Sequence, residues 1–135
     1  MTYVAGLLDT NILILRAGID PDELPDELLI SAITTAELSV GVLVATGPRE
    51  LAQRMKILQT AEAEFDPLPF DAAAARTFGR VAAALRHSGR KPQARAYDAM
   101  IAAIALSRGL PVHTSNPDDF HGIDGLTVIA VPTPV

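Results

Sequence analysis

The sequence predicts an α/β domain whose mainly parallel sheet is covered by helices on both faces. Short apolar runs of strand length, at residues 4–8, 28–33, 110–113 and 126–131, recur along a chain of 135 residues, and stretches of helical periodicity separate them. Strands that alternate with helices are joined by crossovers, which make neighbouring strands parallel and bury both faces of the sheet. A further observation bears on function. The first run stops abruptly on a carboxylate, in Leu7-Leu8-Asp9-Thr10-Asn11. Ligands of open α/β sheets bind beyond the carboxyl ends of the strands, so Asp9 stands where a site would form. The competing reading is that Asp9 serves only as a helix N-cap.

Taken in order, the elements follow from local chemistry. Thr10 or Asn11 caps a short apolar helix over residues 12–15. Residues 20–27 are acidic and punctuated by proline, and predict an exposed loop or broken helical turn. After the second strand, Thr34-Thr35-Ala36-Glu37 has the spacing of a capping box and opens a helix through Val44, with Glu37 in its first turn. Gly47-Pro48 ends that helix and starts another over residues 49–65, with Leu51, Met55, Leu58 and Ala61 or Glu62 at helical spacing. Residues 67–70, with two prolines, fit an edge or connecting strand. Asp71 caps an alanine-rich helix through His87, and residues 88–92 form a turn. The next helix, residues 93–108, is closed by Gly109. It carries Tyr97, Met100, Ile101, Ile104 and Leu106 around most of its circumference, which predicts burial, with Tyr97 in the core. Residues 114–120 form a polar turn before the last strand.

Composition narrows the chemistry. A 49% hydrophobic content in 135 residues suits one compact domain spanning 1–135. No apolar run approaches the roughly 20 residues of a membrane span, and the N-terminus lacks the pattern of a signal peptide, so a cytoplasmic location without membrane attachment is expected. The absence of cysteine removes disulfides, thiol nucleophiles and thiolate metal sites, so any metal must take oxygen or imidazole ligands, which points to a hard cation. His87, His113 and His121 show no ligand spacing and are read as structural or solvated.

Four acidic positions share one topological property. Asp9 follows a strand, Glu37 opens a helix just after a strand, Asp98 lies near the start of a buried helix, and Asp118 or Asp119 follows the third strand. Right-handed crossovers bring all the strand ends to one edge of the sheet, where these acids converge. Converged carboxylates repel one another, and an oxygen-rich site of this kind suits Mg²⁺ or Mn²⁺. Such an ion would activate water and stabilise charge on a phosphodiester. Each acid also has a local alternative: Glu37 as the second half of a capping box, Asp98 as the partner of Arg95 or Arg76, and Asp118 or Asp119 as turn residues.

The residues carry a resemblance. LLDTN, TTAEL, YDAMIAAIAL and TSNPDDF, in that order over the whole chain, look like the successive signatures of the PIN domain in its VapC toxin subgroup. The resemblance implies a three-layer α/β/α fold with a twisted central sheet of four to five strands. It also implies an Mg²⁺- or Mn²⁺-dependent endoribonuclease toxin acting on tRNA or rRNA, restrained by a VapB-type antitoxin and assembled as a homodimer. By position, Asp9, Glu37 and Asp98 match the family's first three acids. The fourth departs: Asn116 stands where many members have Asp, with Asp118 and Asp119 following. One metal or two remain equally open. On the strand reading above, Asn116 lies nearest the strand end and offers a neutral amide oxygen to the ion, Asp119 supplies the missing charge, and Asp118 faces solvent. Thr10, Asn11, Thr114 and Ser115 support the site from adjacent positions.

The formal net charge of −5 argues against a dedicated nucleic-acid binder but hides an asymmetry. No acid lies between Asp71 and Asp98, whereas Arg76, Arg80, Arg86, Arg90, Lys91 and Arg95 all do. Arg90, Lys91 and Arg95, nearest Asp98, are the expected RNA contacts. Two other strand-end acid chemistries fit poorly. A phosphoacceptor receiver needs a late lysine near the acids, and the chain has only Lys56 and Lys91; an aspartyl phosphatase needs a second Asp where Asn11 stands. A catalytically silent PIN-like module that binds RNA or protein is the alternative from another class, separated from the nuclease by a cleavage assay with and without Mg²⁺.

Overall fold

The computed structural model describes residues 3–91 and 95–133. Its sheet has four strands, β1 (Ala5–Leu8), β2 (Glu27–Leu29), β3 (Val112–Thr114) and β4 (Val128–Ala130), in the order β2-β1-β3-β4, with every pairing parallel. The helices are α1 (Thr10–Leu15), α2 (Ala32–Leu43), α3 (Pro48–Glu64), α4 (Ala72–His87) and α5 (Ala96–Arg108). Successive residues of a strand point to opposite faces, and β1 shows the consequence. Leu7 packs into a core shared with α4, α5, Val112 and Phe120, while Leu8 packs with Ile12, Leu13, Leu38 and Ala61 on the side of α1, α2 and α3. These are the three layers.

Local chemistry sets the element ends, and several differ from expectation. Asp9, not Thr10 or Asn11, is the N-cap of α1, accepting from the Thr10 amide at 2.9 Å. Helix α2 begins earlier than a Thr34 cap would allow: Ser31 is its N-cap, its Oγ accepting from the Thr34 amide at 3.2 Å, so Glu37 sits beyond the first turn. The apolar run 28–33 therefore yields a strand only to Leu29. Residues 67–70 do act as a connecting strand, with a single parallel bridge from Leu68 to Ser31. Asp71 caps α4 through the Ala74 amide at 2.9 Å. Gly109, at φ 66°, closes α5 in the left-handed conformation that glycine adopts without strain. Gln93, the expected start of that helix, lies outside the described residues. The burial of α5 is carried by Ala99, Ile101, Ala102, Ala103, Ile104 and Ala105, whereas Tyr97 is 47% exposed and is not a core residue. No helix among the described residues is long and apolar enough to cross a membrane.

Strand β3 starts two residues later and ends one residue later than the predicted run, so that Thr114 is its last residue and is fully buried. With β1 and β3 adjacent and parallel, Asp9 and Thr114 emerge side by side at the carboxyl edge of the sheet. The next strand over delivers Ser31 and α2 to the same edge.

Candidate active site

Asp9 is held from three directions. Its amide donates to the His113 carbonyl at 2.9 Å, its Oδ1 accepts from the Thr10 amide, and its Oδ2 accepts from Thr114 Oγ1 at 2.8 Å. Thr114 Oγ1 in turn accepts from the Asn116 amide at 3.0 Å. The carboxylate is only 5% exposed, and burial pushes its pKa up, against the hydrogen bonds from Thr114 and Thr10, while the charge of Asp119 adds to the rise.

Glu37 is reached through Thr10. The Thr10 hydroxyl donates to Glu37 Oε1 at 2.7 Å and lies 3.0 Å from the Thr34 hydroxyl. Thr10 has one hydroxyl proton, so with that proton on Glu37 the Thr34 hydroxyl is the donor to Thr10. A buried relay thus runs from Thr34 through Thr10 to the carboxylate. Burial raises the pKa of Glu37, Thr10 opposes the rise, and the charge of Asp9 adds to it. Thr34, a helix-cap residue by sequence pattern, thus also joins the hydrogen bonding beneath Glu37. Its capping pattern accounts for it locally, and its partner Thr10 is 24 residues away.

Asp98 falls in the first turn of α5. Burial is the largest influence on it, followed by the charges of Asp9, Asp119 and Glu37, and together they push its pKa up to about 7 despite Arg95. The four predicted acids therefore feel one another across a common space. Asp119 lies in the 3-10 turn Pro117–Phe120, which Phe120 anchors by its burial, and Asp118 is exposed as expected. Asp119 Oδ1 is bound by Arg95 Nη1 at 2.6 Å, and the same nitrogen lies 3.8 Å from Asp98 Oδ2. Arg95, expected as an RNA contact, is thus engaged with two of the acids.

Asn116 does not take the place nearest the strand end; Thr114 does. Asn116 is exposed, and its side-chain amide donates to Ser115 Oγ at 3.4 Å. The reason is the register of β3 on β1, which pairs Leu8 with His113 and so puts Thr114 rather than Asn116 beside Asp9. Asn11 is exposed and lines a groove of about 450 Å³ with Thr10, Ile14, Glu37 and Arg54, between α1, α2 and α3.

Every donor in this cluster is an oxygen. Among the described residues no three acidic or histidine side chains close around one point tightly enough to form a complete metal cage. The set fits a hard divalent ion of the Mg²⁺ kind, which keeps several waters and needs only one or two protein carboxylates, and whose charge would relieve the crowding that raises Asp98.

Of the basic pair preceding α5, Lys91 is exposed, whereas Arg90 is half-buried, with Nη1 fully enclosed. Lys91→Ala is therefore expected to lower the slope of log RNA affinity against log salt by up to about 0.7. Arg90→Ala should mainly lower thermal stability. Binding isotherms at three salt concentrations check the first, and an unchanged slope would assign Lys91 to the solvated surface.

A parallel three-layer sheet that gathers acids at its carboxyl edge defines a class of α/β proteins with an acid-lined site. The model of the PIN domain family matches residues 6–126. Ribonuclease VapC5 of Mycobacterium tuberculosis is 41% identical over 133 residues, 96% of this chain and 96% of that protein. The tRNA(fMet)-specific endonuclease VapC of Shigella flexneri is 32% identical over 127 residues, 89% of this chain and 92% of the relative. Among solved structures, the VapBC-5 toxin–antitoxin complex from M. tuberculosis superposes with a TM-score of 0.83 at 41% identity, covering 95% of this chain and 99% of that one. The chain belongs to the PIN-domain family and, within it, to the VapC proteins.

Proposed function

We propose that this chain is the endoribonuclease toxin of a toxin–antitoxin pair, acting in the cytoplasm with Mg²⁺ or Mn²⁺ on an RNA of the tRNA or rRNA class. The observation that carries the reading is the convergence of Asp9, Glu37, Asp98 and Asp119 at one sheet edge with Asp98 pushed up to about 7, a charge arrangement that calls for a cation. Asp9 and Asp98 are the residues that would hold it, with Asp119 as a third once freed from Arg95. When bound, a divalent ion polarises the phosphate and makes water a better nucleophile.

The chain's own residues do the rest. Thr114 and the Thr10 amide fix both oxygens of Asp9, so its orientation is set before any ligand arrives. The relay through Thr10 holds Glu37 at the groove wall, where its raised pKa suits it to take a proton from an attacking water. Lys91 offers a phosphate contact outside the acids.

The partner is a VapB-type antitoxin. The groove beside Glu37 is lined by Ile14 and Leu38, and Val40 and Leu43 on α2, Val44 just after it and Leu51 on α3 are exposed apolar residues on the neighbouring surface. An antitoxin tail that is apolar and basic suits both the exposed residues and the acids. The homodimer implied by the resemblance would sediment at twice the mass of one chain.

The test is cleavage of total RNA by purified chain. Expected are discrete products with Mg²⁺ or Mn²⁺, none after chelation, and none from Asp9→Ala under any condition. Undiminished cleavage in the presence of chelator would overturn the metal reading. Metal-dependent RNA binding without cleavage would favour the silent module instead.

A further inference from the structure

Arg95 occupies a position that neither its sequence neighbours nor the acid cluster explains by itself. It is the N-cap residue of α5 but makes no capping hydrogen bond. Its guanidinium instead crosses 24 residues of sequence to reach Asp119 at 2.6 Å, and the same Nη1 lies 3.8 Å from Asp98. A cation is therefore already inserted between two of the acids that would take a divalent ion. Its side chain is 38% exposed and those of Asp98 and Asp119 are 22% and 30% exposed, so the contact sits at the rim of the site, open to solvent and to a phosphate. Only one nitrogen makes both contacts, and the planar fork of the guanidinium is not used in a bidentate pair.

We propose that Arg95 is an exchangeable counter-ion: it neutralises Asp119 and Asp98 in the metal-free protein, is displaced from Asp119 when a divalent ion enters, and then turns to a phosphate of the RNA. Two physical arguments support the exchange. A guanidinium on Asp119 Oδ1 and an ion ligated by that carboxylate compete for the same lone pairs and repel each other at short range. Once displaced, the guanidinium is left beside the reacting groups with no acid to balance it, and phosphate oxygens are its natural acceptors. Metal and RNA would then assist one another through a single side chain, as linkage requires.

This inference rests on the metal-dependent reading above, and its test separates the two. Mn²⁺ is titrated by calorimetry into the unaltered chain, Arg95→Ala and Arg95→Lys. Removal of the competing cation should tighten Mn²⁺ by about three- to tenfold, the range of a partly exposed charged hydrogen bond. The lysine variant, which keeps one point charge, should stay within about twofold of the unaltered chain. In a second arm, binding of a phosphorothioate RNA that resists cleavage is measured with and without Mn²⁺; the gain on adding metal should shrink in Arg95→Ala. Equal or weaker Mn²⁺ binding by Arg95→Ala would overturn the inference and make Arg95 a fixed support of Asp119. An undiminished metal gain for RNA would overturn the hand-over. No Mn²⁺ binding by the unaltered chain would overturn the metal reading, and this inference with it.

Discussion

Replacing Asp98 with Asn is expected to abolish RNA cleavage while making the metal-free protein more stable. The loss of activity should be on the order of 10²- to 10³-fold or more, the usual cost of removing one electrostatic element of a reaction site. The gain in stability follows from linkage. The folded-state pKa of Asp98, about 7, lies above its ordinary value of 3.8, so between those values the folded protein keeps a proton that the unfolded chain has released. The contribution of Asp98 to stability therefore falls as pH rises from about 4 to about 7 and is flat beyond. Asparagine carries no charge at any pH, so the advantage of Asp98→Asn should grow across that window and level off at no more than about 4 kcal/mol. Thermal melts in chelator from pH 4 to 8 read this directly. A variant less stable than the parent at pH 8 would show that Asp98 serves the fold rather than the site.

Gly6→Ala is expected to destabilise the sheet strongly. A Cβ at Gly6 would lie 2.4 Å from both Cε1 and Nδ1 of His113, a ring that is 1% exposed and packed edge-on against Tyr3. No rotamer change of a flexible tip relieves that overlap; β1 and β3 must separate or the ring must leave. A cost of about 3 kcal/mol is expected, at the upper end for overpacking. Activity should fall with stability, because the His113 carbonyl holds the Asp9 amide. Shortening the ring supplies the control: Gly6→Ala combined with His113→Ala should recover part of the loss, in denaturant melts and in cleavage. A double variant no better than Gly6→Ala alone would place the damage elsewhere.

The parts of the fold that were legible in the sequence are those with a local cause. The apolar run of β1 ends where Asp9 begins, and Asp71 and Gly109 mark the start of α4 and the end of α5 through their own hydrogen bonding and backbone freedom. Where two local patterns competed, tertiary contacts decided. Ser31 and Thr34 both have the chemistry of a cap, and the bridge to Leu68 fixes the backbone at Ser31, leaving Thr34 free to turn towards Thr10. The apolar circumference of α5 points to Tyr97 as core, yet alanines and isoleucines suffice to fill the layer against α4. Within the site, convergence of the acids follows from topology and was legible. The pairing of Arg95 with Asp119 was not, since nothing near either residue marks the other.

The hydrogen bond from Thr114 to Asp9 joins residues 105 apart in sequence. Its consequence is one of timing. During synthesis the N-terminal acids Asp9 and Glu37 emerge first, but the partner that orients Asp9, the strand that buries it and the turn bearing Asp119 emerge only when most of the chain has been made, several seconds later at ordinary elongation rates of about 5–20 residues per second. A ribosome-bound fragment holding half the acids has no assembled site. Assembly of the site thus waits on β3 and the turn after it, and a chain that stops short of them leaves Asp9 without the strand that buries it.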